Sequence, residues 1–163
     1  MSCDLLPTDV TGPHYQGDVT DILGDGWDLR VAHPPCTYLS VSGMHWTTRG
    51  FRDPQLTEDA LTFVRLLMDA PIPRIAVENP VSVISSRIRK PDQIIQPWMF
   101  GHGETKATCL WLKGLPPLRA TDVVQGRENK IWRMAPSADR WKRRSATYPN
   151  IAAAMAAQWG SMP

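Results

Sequence analysis

Apolar and polar positions along this chain fall into blocks that read as strand, helix and strand. DLRVAHP (28–34) is a short apolar run closed by two prolines, and RIAVENP (74–80) is a β-branched run ended by Asn-Pro. Both have the length and punctuation of buried strands. Between them DPQLTEDALTFVRLLMDA (53–70) repeats apolar residues at helical spacing. Leu56, Ala60, Phe63, Val64 and Leu67 share one face, Asp53 suits the N-cap and Pro54 the first helical position. Strand, helix and strand in that order form a βαβ unit with parallel strands and a right-handed crossover. ATCLWLKGL (107–115) reads as a further strand, and NIAAAMAAQW (150–159) as an alanine-rich helix capped by Asn150 and stopped by Gly160. The proline-rich middle and the stretch 116–148 carry little regular pattern. The expected fold class is α/β, and 163 residues with 42% apolar content fit one domain with a sizeable core.

Composition narrows the setting. No apolar run approaches the roughly 20 residues that cross a bilayer, and MSCDLLPTDV has neither the basic start nor the apolar stretch of a secretory signal. The expected location is the cytoplasm, with no membrane partner. Three widely spaced cysteines, Cys3, Cys36 and Cys109, do not make a disulfide framework and are expected as reduced thiols. The net charge is only +2, yet it is unevenly spread. Asp4, Asp9, Asp18, Asp21, Asp25 and Asp28 crowd the start, whereas Arg119, Arg127, Lys130, Arg133, Arg140, Lys142, Arg143 and Arg144 precede the last helix, so the two ends are expected to face different partners. Trp132 and Trp141 within the basic stretch suit a nucleic acid, where cations neutralise phosphates and aromatic faces stack on bases; a solvated basic loop has the same composition.

The βαβ unit gives the chemistry its geometry. Ligands of open parallel sheets sit beyond the carboxyl ends of the strands, where the loops after His33 and Glu78 both emerge. Adjacent strand ends lie on the order of 5 to 10 Å apart, so Cys36 and Glu78 should flank one bound ring. A thiolate adds to an electron-poor carbon, and a partly buried carboxyl group can donate to a ring nitrogen and sharpen that carbon as an electrophile. A pyrimidine suits the pair. Three histidines, His33, His45 and His102, together with Cys36 and Cys109 invite a zinc reading, but none of them falls at the short paired spacing of structural zinc sites, and no metal is expected. A zinc deaminase would need His-x-Glu and Pro-Cys-x-x-Cys, whereas Cys36 is followed by Thr37, Tyr38 and Leu39.

PPC followed by Ser and Gly, then EN after an apolar strand, resembles the Pro-Cys and Glu-Asn motifs of DNA (cytosine-5) methyltransferases. Over nearly its whole length the chain is similar to small bacteriophage proteins labelled as cytosine methyltransferases, through MSCDLLPTD, AHPPCTYLSVSG, ENPVSVISSRIRKPDQIIQPWMFGHGETKATCLWLKGLP and TYPNIAAAMAAQWG. The resemblance implies a Rossmann-like methyltransferase fold with a mostly parallel sheet. It implies Cys36 as the nucleophile on carbon 6 of cytosine, Glu78 at nitrogen 3 and the exocyclic amine, and Asn79 holding the loop. S-adenosylmethionine would be the cofactor and DNA, with its target base flipped out, the partner. Asp4 would correspond to the acidic residue that holds the ribose and Asp18 to the aspartate near the adenine amine, with Pro34 and Pro35 stiffening the nucleophile loop beside the cofactor. Ser40, Ser42 and Gly43 would allow close approach to the nucleic acid backbone, and Arg87 and Arg89 would contact phosphate or base. Apart from the resemblance, the glycines and polar residues of FGHGETKATCLW read either as a loop that binds a phosphate through Lys106 and backbone amides or as an ordinary hairpin loop.

Against the family's pattern the chain is expected to be shortened at its N-terminus, without the first strand and its glycine-containing turn. The sheet edge so exposed would be covered by a homodimer, a partner protein or the C-terminal helix. With no large segment between the Glu-Asn motif and the last helix, no separate target-recognition domain is expected. Two readings follow: an S-adenosylmethionine-dependent methyltransferase, or a degenerate methyltransferase-like phage protein that binds DNA or a host protein, such as a component of a defence system, without turnover.

Overall fold

The computed structural model describes residues 1–138 and 140–162, apart from the side chains of Trp132 and Trp141; the tryptophan stacking expected above lies outside the described residues. A small two-stranded parallel sheet, β1 (Ser2–Asp4) with β2 (His14–Gln16), opens the chain. A four-stranded sheet follows, in the order β3 (Leu29–Ala32), β4 (Arg74–Pro80), β6 (Thr108–Lys113), β5 (Gln93–Ile95). β3 and β4 pair in parallel, and β6 is antiparallel to both β4 and β5. Three of the four strands therefore point the same way, and the larger sheet is mixed. The α/β class expected from the periodicity is present, with β6 turned against its neighbours.

Helices cover both faces of the sheet. On one side α2 (Gln55–Asp69) lays Leu61, Val64 and Leu67 on Ile75, Val77, Cys109 and Trp111. On the other, α6 (Pro149–Trp159) lays Ile151, Ala154, Met155 and Trp159 on Ala76, Leu110, Ile95 and Phe100. The alternation of Ile75, Ala76 and Val77 between the two layers is the period of a strand buried on both faces, which is why the sequence there reads as a continuous apolar run. Short helices α1 (Val41–Thr48), α3 (Ile84–Arg87), α4 (Lys130–Arg133) and α5 (Arg140–Ser145) fill the connections. Among the described residues no helix is long and apolar enough to cross a membrane.

Several local expectations are corrected. The buried stripe of α2 runs through Thr57, Leu61, Val64 and Leu67, and Leu56 is exposed. Apolar residues occupy so much of this helix that its stripe can be drawn two ways, and only the packing chooses. Asp53 does terminate the helix, its carboxylate accepting the Gln55 N–H at 2.9 Å. Asn150 does not cap α6; its Nδ2 reaches across to the Phe100 carbonyl at 2.8 Å, and Tyr148 takes the cap position. Helix α6 covers a face of the sheet, touching Leu29 and Val31 from one side, so it does not run along the free edge of β3. The acidic and basic ends meet where Lys142 pairs with Asp9 at 2.5 Å.

The β5 edge depends on Asp92, whose carboxylate accepts the Leu112 N–H at 2.6 Å and pairs with Arg89 at 2.7 Å. Partial burial pushes this carboxyl up, but the Leu112 bond and the Arg89 hydrogen bond and charge outweigh it and leave it below the ordinary value of 3.8. Because the folded value is depressed, the stabilisation is present above 3.8 and is lost as pH falls through the folded value. Asp92→Asn is expected to cost about 1 kcal/mol at neutral pH, allowing for solvent screening of a half-exposed pair. In an acid series of urea denaturations the gap from wild type should close as the pH falls below that window.

Candidate functional site

The loop after β3 and the end of β4 meet as the parallel register requires. Ala32 pairs with Val77, so His33 and Pro34 come level with Glu78 and Asn79. Proline 34 has no N–H with which to extend the ladder, and the side chain of Asn79 takes over. Its Nδ2 donates to the Pro34 carbonyl at 2.9 Å in a fully buried bond. His33 Nδ1 stands 2.9 Å from Glu78 Oε2, with the Glu78 side chain 16% exposed and that of His33 42% exposed. Cys36 follows, half-buried, and its carbonyl accepts the N–H groups of Leu39 and Ser40 in a tight turn. That turn is tied to the chain beyond β4 by bonds from Val41 N–H to the Val81 carbonyl and from Val83 N–H to the Leu39 carbonyl.

Lys106 joins the group from the loop before β6. Its Nζ donates to the Arg144 carbonyl at 2.9 Å and the Ala146 carbonyl at 3.3 Å, and it lies 5.7 Å from the centre of the Tyr148 ring. Desolvation by burial pushes this ammonium below the usual lysine value; the negative charges of Glu78 and Cys36 pull it back up, and Arg144 pushes it down. Lys106 is therefore within electrostatic reach of both members of the thiol and carboxyl pair. The rest of the FGHGETKATCLW segment is knit to the chain at 122–130. Gly103 lies so close to Gly126 that a side-chain carbon there would meet the Gly126 backbone at 3.3 Å, and Glu104 bridges Tyr148 Oη at 2.7 Å and Lys130 at 3.3 Å. Burial, then the Glu104 bond and charge, push the Tyr148 hydroxyl well above the usual tyrosine value, so it stays a proton donor.

A cavity of about 640 Å³ opens beside β3, between the strand, α2 and the N-terminal residues. Asp4, Asp18, Pro34 and Pro35 all line it, together with Trp27 and Arg30. The volume is that of a small-molecule site. Asp4 and Asp18 each use one oxygen locally, Asp4 Oδ1 on the Leu6 N–H at 2.9 Å and Asp18 Oδ1 on the N–H and hydroxyl of Thr20 at 2.9 and 2.8 Å. The other oxygen of each has no hydrogen bond to another described residue. Two of the Arg30 nitrogens, Nε and Nη1, are shut away from solvent without a partner. Carboxylate acceptors, unmet guanidinium donors and the indole of Trp27 thus face one space.

The other expected residues are placed elsewhere. Ser40 caps α1, its Oγ accepting the Gly43 N–H at 3.1 Å, with Ser42 Oγ 3.2 Å away. Arg87 is paired with Glu58 of α2 at 2.8 Å, and Arg89 with Asp92 and the Leu112 carbonyl, which pairs with Ala76 rather than with the Glu78 end of β4. Neither arginine is brought to Cys36. His33 and Arg30 are the residues that sequence reasoning missed: the first stands opposite Glu78 once the register is drawn, and the second is a cation inside an apolar strand. Among the described residues no three His, Cys, Asp or Glu side chains converge to hold a metal ion. What the geometry defines is an α/β protein with a thiol, a carboxyl and an ammonium group at the ends of two parallel strands and a small-molecule cavity alongside. No protein-family model matches the chain, and no curated protein matches it.

Gly43 sets how closely α1 approaches the turn at Cys36, since a side-chain carbon there would lie 2.1 Å from the Thr37 carbonyl oxygen. Gly43→Ala is expected to destabilise the fold by about 1–3 kcal/mol and to push the turn outward. Alkylation of Cys36 by iodoacetamide, followed by peptide mapping, should then run several-fold faster than in wild type.

Proposed function

We propose that this protein is a DNA (cytosine-5) methyltransferase with a Rossmann-like sheet and S-adenosylmethionine as methyl donor. The observation that supports it most is the cavity. The four residues expected at the cofactor, Asp4, Asp18, Pro34 and Pro35, share its lining, and its proline rim leads straight into Cys36. When bound there, S-adenosylmethionine supplies an electrophilic methyl group.

The chain's own residues account for the activation of the base. Cys36 Sγ adds as thiolate to carbon 6 of a flipped cytosine. Glu78 delivers a proton to nitrogen 3, so that the electron pair released into the ring raises the nucleophilicity of carbon 5. His33, half open to water and bonded to the second Glu78 oxygen, holds that carboxyl in place and gives it a path to solvent protons. After a base from solvent takes the carbon 5 proton, the ring expels Cys36 as thiolate and nitrogen 3 returns its proton to Glu78. Asn79 keeps the two loops in register throughout. The basic helix α5, whose Arg144 carbonyl holds Lys106, offers cations to the phosphates beside the site.

The capping bonds of Asp4 and Asp18 favour a second reading, in which the domain binds DNA without turnover. DNA of mixed sequence containing 5-fluorocytosine separates the two, because fluorine at carbon 5 cannot leave as a proton and the adduct persists. With S-adenosylmethionine present, wild type is expected to form a denaturant-stable adduct and Cys36→Ser none, while Glu78→Gln slows adduct formation at least 100-fold. Duplex binding without any adduct in wild type would leave the second reading standing.

A further inference from the structure

Arg30 is the one charged residue of β3, and nothing in the fold explains it. Leu29 and Val31 face the α6 layer, whereas Arg30 and Ala32 face the α2 layer. There the guanidinium spends Nη2 on the carbonyl of Leu67, the last core leucine of α2. Nε and Nη1 are buried without a partner, and among the described residues Arg30 makes no ion pair. A buried cationic donor left unmatched is costly, and burial alone holds this guanidinium below the usual arginine value. A side chain in that condition, at the wall of a cavity rather than inside a packed core, is poised for an anion from outside.

The cavity itself selects the kind of anion. Asp4 and Asp18 line the same space, so a multiply charged phosphate would meet two carboxylates for one arginine. A singly charged carboxylate carried by a molecule that also bears positive charge suits all three groups. We propose that Arg30 binds the carboxylate of the methionine portion of S-adenosylmethionine, leaving Asp4 and Asp18 to the nucleoside. The inference rests on the cofactor reading above. It also explains why a strand otherwise built from leucine, valine and alanine tolerates a buried charge: the partner arrives with the ligand.

Two ligands that differ at the carboxylate test it by calorimetric titration. S-adenosylhomocysteine carries the amino-acid tail, and 5′-methylthioadenosine has the same nucleoside and sulfur without it. Wild type is expected to bind the first at least 10-fold more tightly than the second. Arg30→Met, which keeps the length and loses the charge, should weaken S-adenosylhomocysteine about 10- to 100-fold and leave methylthioadenosine unchanged, which also reports that the cavity is intact. Arg30→Lys should fall between them. Equal affinity of wild type for the two ligands, or equal loss of both in Arg30→Met, overturns the assignment while leaving the cofactor reading in place. If wild type binds neither ligand, the cofactor reading fails and this one with it.

Discussion

The bond from Asn79 to the carbonyl of Pro34 is the constraint on which the site depends. Parallel pairing of β3 and β4 ends at Ala32 and Val77, because two successive prolines cannot donate to a ladder. Without a substitute donor the two loops would diverge at the point where Cys36 and Glu78 must meet. The carboxamide supplies it from a fully buried position, and in doing so spends a polar side chain where leucine would pack as well. That choice has a physical reading. An apolar residue would stabilise the strand end equally but would leave the proline carbonyl unpaired and the loop free to lift.

How much of this was legible in the sequence follows from the range of the interactions. β4 was read at its full length, Arg74 to Pro80, since a strand buried on both faces carries its own signature of β-branched residues closed by Asn-Pro. The meeting of His33 and Pro34 with Glu78 and Asn79 followed from counting residues beyond a parallel pair. Lys106 could be suspected of binding an anion, but not placed, since its position depends on a loop held by Gly103 against Gly126 and on carbonyls nearly forty residues away. α1 was not read at all, because its first turn, VSGM, has no apolar stripe and its cap, Ser40, looked like a flexible hydroxyl. The reversal of β6 is equally invisible locally, for a strand buried on both sides reads the same in either direction.

The free edge of β3 and the cavity beside it are two aspects of one arrangement. An edge strand presents unpaired backbone groups and invites pairing with another chain. Here β3 is only four residues long, carries a charged side chain and has the N-terminal residues standing off it across the cavity instead of bonded to it. Short length and an inward charge are ways of blunting an edge, so the arginine that lines the cavity also discourages a second copy from adding a strand. A purely apolar strand at this position would pack better and would be more prone to such pairing.

Lys106 shows how the basic C-terminal segment reaches the chemistry. A buried ammonium bonded to a carboxylate has its charge neutralised locally, whereas one bonded to two peptide carbonyls keeps it. Negative charge on Glu78 or Cys36 raises the ammonium against its desolvation. The desolvation of Lys106 is then offset only while the segment carrying Arg144 and Ala146 is folded against the loop. Whatever orders that segment also fixes the ammonium. The place of the ammonium at the end of β4 is in this way tied to the fold of the basic segment through two carbonyl hydrogen bonds.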